Sequence, residues 1–169
     1  MELREIDKAV FKQKQRRVAI VLALIFMALG LSLSALLRNY YGNPQGENMM
    51  VNLTGVIIGL LITIFLFSRV SGRPYFDELR YGWNLKRQAL KIQNHRHRWE
   101  AMLEQGNATA ATVLAFYYKA TLQLQQLEGN DFGYSDTLAR EQKFLAQCQQ
   151  LSLVADAYQF NVGMLEELV

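Results

Sequence analysis

The sequence predicts an all-α membrane protein, a two-helix transmembrane hairpin followed by a cytoplasmic helical hairpin or three-helix, coiled-coil-like domain. Three observations predict it. Residues 18–37 and 49–68 are two 20-residue stretches without a charge, bracketed by Arg17, Arg38 and Arg69. Basic residues crowd the outer flanks of this pair and almost vanish between its members. From residue 69 onward the apolar residues fall at helical spacing, and no strand-like alternation interrupts them.

At 1.5 Å of helix per residue, each apolar stretch is about 30 Å long, the thickness of a bilayer's hydrocarbon core. Each holds twelve Leu, Ile, Val or Phe residues. At about 0.3–0.6 kcal/mol apiece near the membrane centre, they favour insertion by about 4–7 kcal/mol per helix. The first stretch follows basic residues, as a signal peptide does. Its apolar region exceeds the usual 7–15 residues, however, and Ser32-Leu33-Ser34-Ala35-Leu36-Leu37-Arg38 is no small-x-small cleavage site. The expectation is therefore an uncleaved span.

The basic arm, residues 1–17, carries six Lys and Arg, the connector 38–48 carries one, and residues 69–98 carry eight. The positive-inside rule then places both termini in the cytoplasm and 38–48 outside as a short periplasmic loop. Tyr40 and Tyr41 suit the outer interface, and Gly42, Asn43, Pro44 and Gly46 supply turn chemistry. In the arm, Leu3, Ile6 and Val10 recur at helical spacing among lysines, which reads either as an amphipathic helix on the inner surface or as a solvated tail. The single cysteine, Cys148, excludes an intrachain disulfide.

Ser71-Gly72-Arg73-Pro74 ends the second span, with Pro74 suited to the first turn of a new helix. Tyr75, Phe76, Tyr81 and Trp83 among Arg69, Arg73 and Arg80 fit an inner interface. One helix is expected over Asp77–Gln105, with the seam Leu85, Ala89, Ile92, Arg96, Trp99 and Leu103 spaced 4-3-4-3-4. Gly106 ends it and Asn107 caps the next, about Ala108–Glu128, with the seam Val113, Tyr117, Ala120, Leu124 and Leu127. After Gly129 and the turn 130–133, Ser135 is expected to cap a third helix with the apolar edge Leu138, Leu145, Cys148 and Leu151. Residues 160–169 are ambiguous.

The basic residues 69–98 have a net charge of +6 and residues 99–169 of −6. Anionic inner-leaflet lipids are the expected partner of the former, at about 1 kcal/mol per basic residue.

Candidate sites are packing surfaces. Gly55-x-x-x-Gly59 with Thr63 puts small residues on one face of the second span, and Gly30 with Ser34 offers a matching notch on the first. This face serves either the hairpin itself or a homodimer. Asn52 and Thr54 are expected to hydrogen-bond to the first span. Neither span contains an ionisable residue, which removes the usual marks of ion pathways. His95 and His97, two residues apart on a helix, diverge too far to share a metal. The basic run around them is too poor in aromatics, beside an acidic remainder, to indicate nucleic acid. Phe116-Tyr117-Tyr118 reads as core or as a ligand-facing cluster. No GxSxG, HExxH, phosphate loop or paired cysteine motif occurs, so no catalytic residue, cofactor, metal ligand or small-molecule substrate is nominated.

The words Glu5-Ile6-Asp7-Lys8, Asn52-Leu53-Thr54-Gly55, Arg73-Pro74-Tyr75-Phe76, Trp83-Asn84-Leu85-Lys86 and Phe116-Tyr117-Tyr118 occur in this order. In this the chain resembles an uncharacterised family of two-span inner-membrane proteins of gammaproteobacteria, a domain of unknown function. The resemblance implies a bacterial inner membrane and a cytoplasmic helical tail, and carries over no activity. The expected role is a helical interaction or scaffold module with a protein partner or a second copy. The alternative is an accessory subunit of a transporter or envelope enzyme complex, docked through its transmembrane helices.

Overall fold

A computed structural model describes residues 3–130 and 132–168. Met1 and Glu2 of the arm, Asp131 of the expected turn and Val169 lie outside the described residues. All regular structure among those described is helical: α1 (Lys8–Tyr41), α2 (Met49–Val70), α3 (Asp77–Asn94), α4 (Arg96–Glu104), α5 (Ala108–Glu128) and α6 (Tyr134–Gln150), with short 3-10 turns at Pro74–Phe76, Ala157–Gln159 and Val162–Leu168. The chain forms two compact units, residues 13–77 and residues 1–12 with 78–169.

The hairpin unit holds most of α1 and all of α2, both long and apolar enough to cross a membrane. α1 continues to Tyr41, so the turn is only 42–48, shorter than the expected connector. Asn43 and Asn48 close it reciprocally. The Asn43 backbone N–H donates to Asn48 Oδ1 at 2.8 Å, and Asn48 Nδ2 donates to the Asn43 carbonyl at 3.1 Å. At the other end Pro74 opens the 3-10 turn that leads into α3, as a residue with fixed φ and no N–H can. Phe76 meets the edge of Phe67 there, with ring centroids 5.7 Å apart.

The second unit is organised around α5. Asn107 caps it by accepting the Ala110 N–H at 2.8 Å, and Gly129 ends it in the left-handed region at φ +64°. The expectation of a helix with one coiled-coil seam is corrected here. Every residue from Ala110 to Tyr118 is buried, because that stretch holds no charged side chain on any side. α4 and α6 pack against it, and so does the 3-10 turn 157–159.

Three further expectations change. The helix over Asp77–Gln105 is two helices, interrupted at His95 (φ −121°, ψ 18°), where the His95 N–H bonds to Ile92 C=O, three residues back. Asn94 and His95 are both weak helix formers. The expected seam is buried across this break, apart from the half-exposed Arg96. α6 is not capped by Ser135; Gly133 at φ +81° occupies that position, and Thr137 donates from both N–H and Oγ1 to its carbonyl. The buried face of α6 is Phe144 and Cys148, whereas Leu138, Leu145 and Leu151 are exposed. Phe144 wins because its ring packs on Tyr118, centroids 5.3 Å apart.

Both chain ends of this unit are tied down. Phe160 stacks on Phe116 with ring centroids 4.0 Å apart and planes 15° from parallel. The N-terminal arm turns most of its large apolar residues inward: Leu3 and Ile6 pack on the core and Phe11 is buried over Gly82, while Val10 is exposed. The Arg4 N–H donates to Tyr81 Oη at 2.9 Å, Tyr81 donates to Gln123 Oε1 at 2.9 Å, and Gln123 Nε2 donates back to the Arg4 carbonyl. Lys12 lies against Gly129, where a cation meets the carbonyl end of α5.

Candidate functional site

In the hairpin unit the structure brings Gly30, Ser34, Gly55, Gly59 and Thr63 together. A Cβ at Gly55 would stand 2.5 Å from Ser34 Cα, and one at Gly59 2.8 Å from the Gly30 nitrogen. Only hydrogen at these positions permits so close a backbone approach. Ser34 Oγ donates to the Asn52 carbonyl at 2.8 Å, so the polar link between the helices uses Asn52's backbone rather than its side chain. Thr54 bonds back to Met50 within α2 and contributes nothing across the pair. Thr63 likewise donates to Gly59 C=O at 2.8 Å, which leaves its methyl and small volume on the contact face. The small-residue face is thus covered by α1 and is no free docking surface for a second protein.

In the helical unit Val113, Tyr117 and Leu127 are buried and Leu124 is half-buried. They close the interior of this chain, so the expected unpartnered seam on α5 is already filled.

Sequence reasoning missed a cleft between α4 and α6, with α5 as its floor. Its volume is about 340 Å³, and Leu114, Tyr118 and Phe144 form its apolar floor. Arg96, Glu100 and Glu104 line one side, Arg140 and Lys143 the other. Arg96 Nε and Glu100 Oε1 pair at 3.1 Å. Partial burial works against the Arg96 charge, but Glu100 and the Tyr117 hydroxyl outweigh it and hold its pKa above the ordinary value. Tyr118 is 5% exposed, and its hydroxyl has no hydrogen-bond partner among the described residues. Burial, then the nearby Glu100 carboxylate, pushes that hydroxyl's pKa up, against the opposing pull of Arg96 and Arg140. It is therefore a neutral donor at physiological pH. The sequence signal was Phe116-Tyr117-Tyr118, three consecutive aromatics that cannot all face one seam.

Burial pushes the Cys148 thiol above its ordinary value, which makes it a poor nucleophile. Among the described residues no group of three or more His, Cys, Asp or Glu is placed to hold a metal ion. No catalytic constellation is evident among them either. No curated protein and no solved structure matches the chain. Residues 1–165 match the family described as protein of unknown function (DUF3087), and the chain belongs to that family.

Proposed function

We propose that this is a two-span protein of a bacterial inner membrane, gammaproteobacterial by its resemblance, whose non-catalytic helical unit lies in the cytoplasm and presents an interaction surface there. The anchoring part is supported by an inside-out distribution of residues. In the hairpin unit Gly30, Gly55, Gly59 and Thr63 are inside, while Leu31 (72% exposed), Leu61 (60%) and Phe65 face out. A soluble helix pair would bury the leucines; a lipid-facing pair has no reason to. The orientation rests on the basic flanks of the two spans.

One observation carries the interaction reading. On α3, Trp83 is 78% exposed and Leu90 48% exposed. Seven residues apart, they project within about 20° of each other, with Arg87 on the same face. Trp and Arg are the residue types that anchor protein interfaces. The surface offered to a partner is therefore the outer face of α3, in place of the filled seam on α5.

The test is affinity capture of the tagged chain from native membranes in polymer nanodiscs, with Trp83→Ala and Leu90→Ala as the comparison. The reading expects a stoichiometric protein, or a defined oligomer of this chain, that is lost on the double substitution. A complex unchanged by it, or no complex at all, would remove the basis of the reading. Reporter fusions at the two ends should both report cytoplasm, and an external C-terminus would overturn the orientation.

A further inference from the structure

We infer that the cleft between α4 and α6 is a binding site for a small molecule that joins an oxyanion, carboxylate or phosphate, to an apolar body. Three features point there. The first is size, because about 340 Å³ lies within the range of small-ligand pockets. The second is the Tyr118 hydroxyl, which opens into the cleft from a largely buried ring and has no acceptor among the described residues. An incoming oxygen would give that donor an acceptor.

The third is the arrangement of charge around that hydroxyl. Arg96 and Arg140 act on it from opposite sides of the cleft, with Glu100 as the one opposing carboxylate. Glu100 is already engaged by Arg96. Arg140 has no ion-pair partner among the described residues, so its guanidinium is available as a bidentate donor. Glu104 is two turns along α4 from Arg96, about 12 Å away along the axis, and Lys143 of the facing helix also lines the cleft. The cleft thus has a cationic, donor-rich end beside Tyr118. Its apolar floor of Leu114 and Phe144 suits the body of the ligand, an aromatic ring or a short chain.

The full chain in zwitterionic-lipid nanodiscs is titrated with phenyl phosphate and benzoate, using inorganic phosphate and benzyl alcohol as half-ligands, by calorimetry and ligand-detected NMR. Phenyl phosphate or benzoate should bind about tenfold or more tightly than either half-ligand. Arg140→Ala, at an exposed position, should weaken binding about tenfold, the usual effect of one charge-assisted contact. Tyr118→Phe keeps the ring and should weaken it severalfold, with circular dichroism confirming the fold of both variants. Anionic-lipid nanodiscs locate the source of the oxyanion. Displacement of phenyl phosphate there assigns the cleft to a lipid headgroup, and unchanged binding assigns it to a soluble compound. Failure of both probes to bind below about 10 mM, or affinities untouched by Arg140→Ala and Tyr118→Phe, would overturn the assignment.

Discussion

The two units of this chain solve the packing problem in opposite ways. The helical unit buries its large side chains, Trp99, Phe116, Leu85 and Ile92 among them, and turns charge outward. The hairpin unit buries glycine and threonine and turns Leu, Ile and Phe outward. In the first, the driving force is removal of apolar surface from water. That force cannot act between helices already surrounded by hydrocarbon, where close backbone contact and a few hydrogen bonds take over. One sequence thus holds two rules for what belongs inside, and under the proposed membrane placement the difference is one of solvent.

The largest effect that would sharpen this contrast is in the helical core. Trp99→Ala or Phe116→Ala should destabilise that unit by about 3–5 kcal/mol, and Leu85→Ala by about 2–5 kcal/mol, measured by its thermal or denaturant unfolding. The same truncation on the hairpin's outer face, Leu61→Ala, should cost under about 0.5 kcal/mol. Equal effects at Leu85 and Leu61 would break the comparison. Next is Leu61→Asp, which places a charge where lipid is expected. It should reduce insertion by about 2.5–3.5 kcal/mol in a translocation assay, whereas a hairpin surrounded by water would tolerate it.

A smaller effect belongs to the glycines. Gly55→Leu or Gly59→Leu forces the α1 and α2 backbones apart and should cost about 1–3 kcal/mol of pairing. Spin-label distances between residues 36 and 53 should lengthen and broaden; unchanged distances would mean that the close approach is not what holds the pair. Smallest is Asn107→Ala, which removes the cap of α5 for about 1 kcal/mol. Its signature is a lower melting point for the helical unit with no change in the hairpin.

Much of this was legible in the residues. Two uncharged stretches gave the two long apolar helices, and Gly-x-x-x-Gly with Gly30 and Ser34 gave their contact. Asn107 and Gly129 marked the ends of α5 within a residue. Three of the misreadings have a plain physical reason. Residues 110–118 have no charged side, and a helix apolar all round is a central one rather than half of a coiled coil. On α6 three leucines outnumbered one phenylalanine, yet the single ring that reaches Tyr118 decided which face turned inward. In the arm, Leu3 and Ile6 left a membrane-surface helix or a solvated tail as the two readings, and neither foresaw their packing on the core, because periodicity shows that a face is apolar but not what covers it. The cleft was illegible for the same reason: Arg96, Tyr118 and Arg140 come from three helices whose packing fixes their meeting.

The central claim is that the leucines outside the hairpin face lipid. It is tested most directly by a spin label at position 61 of the full chain in nanodiscs, read by its collision with oxygen and with a water-soluble nickel chelate. Cys148 is buried and its thiol is held protonated, so it labels slowly and leaves the signal to residue 61. The account predicts strong relaxation by oxygen and little by nickel. Strong relaxation by nickel would put water against Leu61 and contradict it.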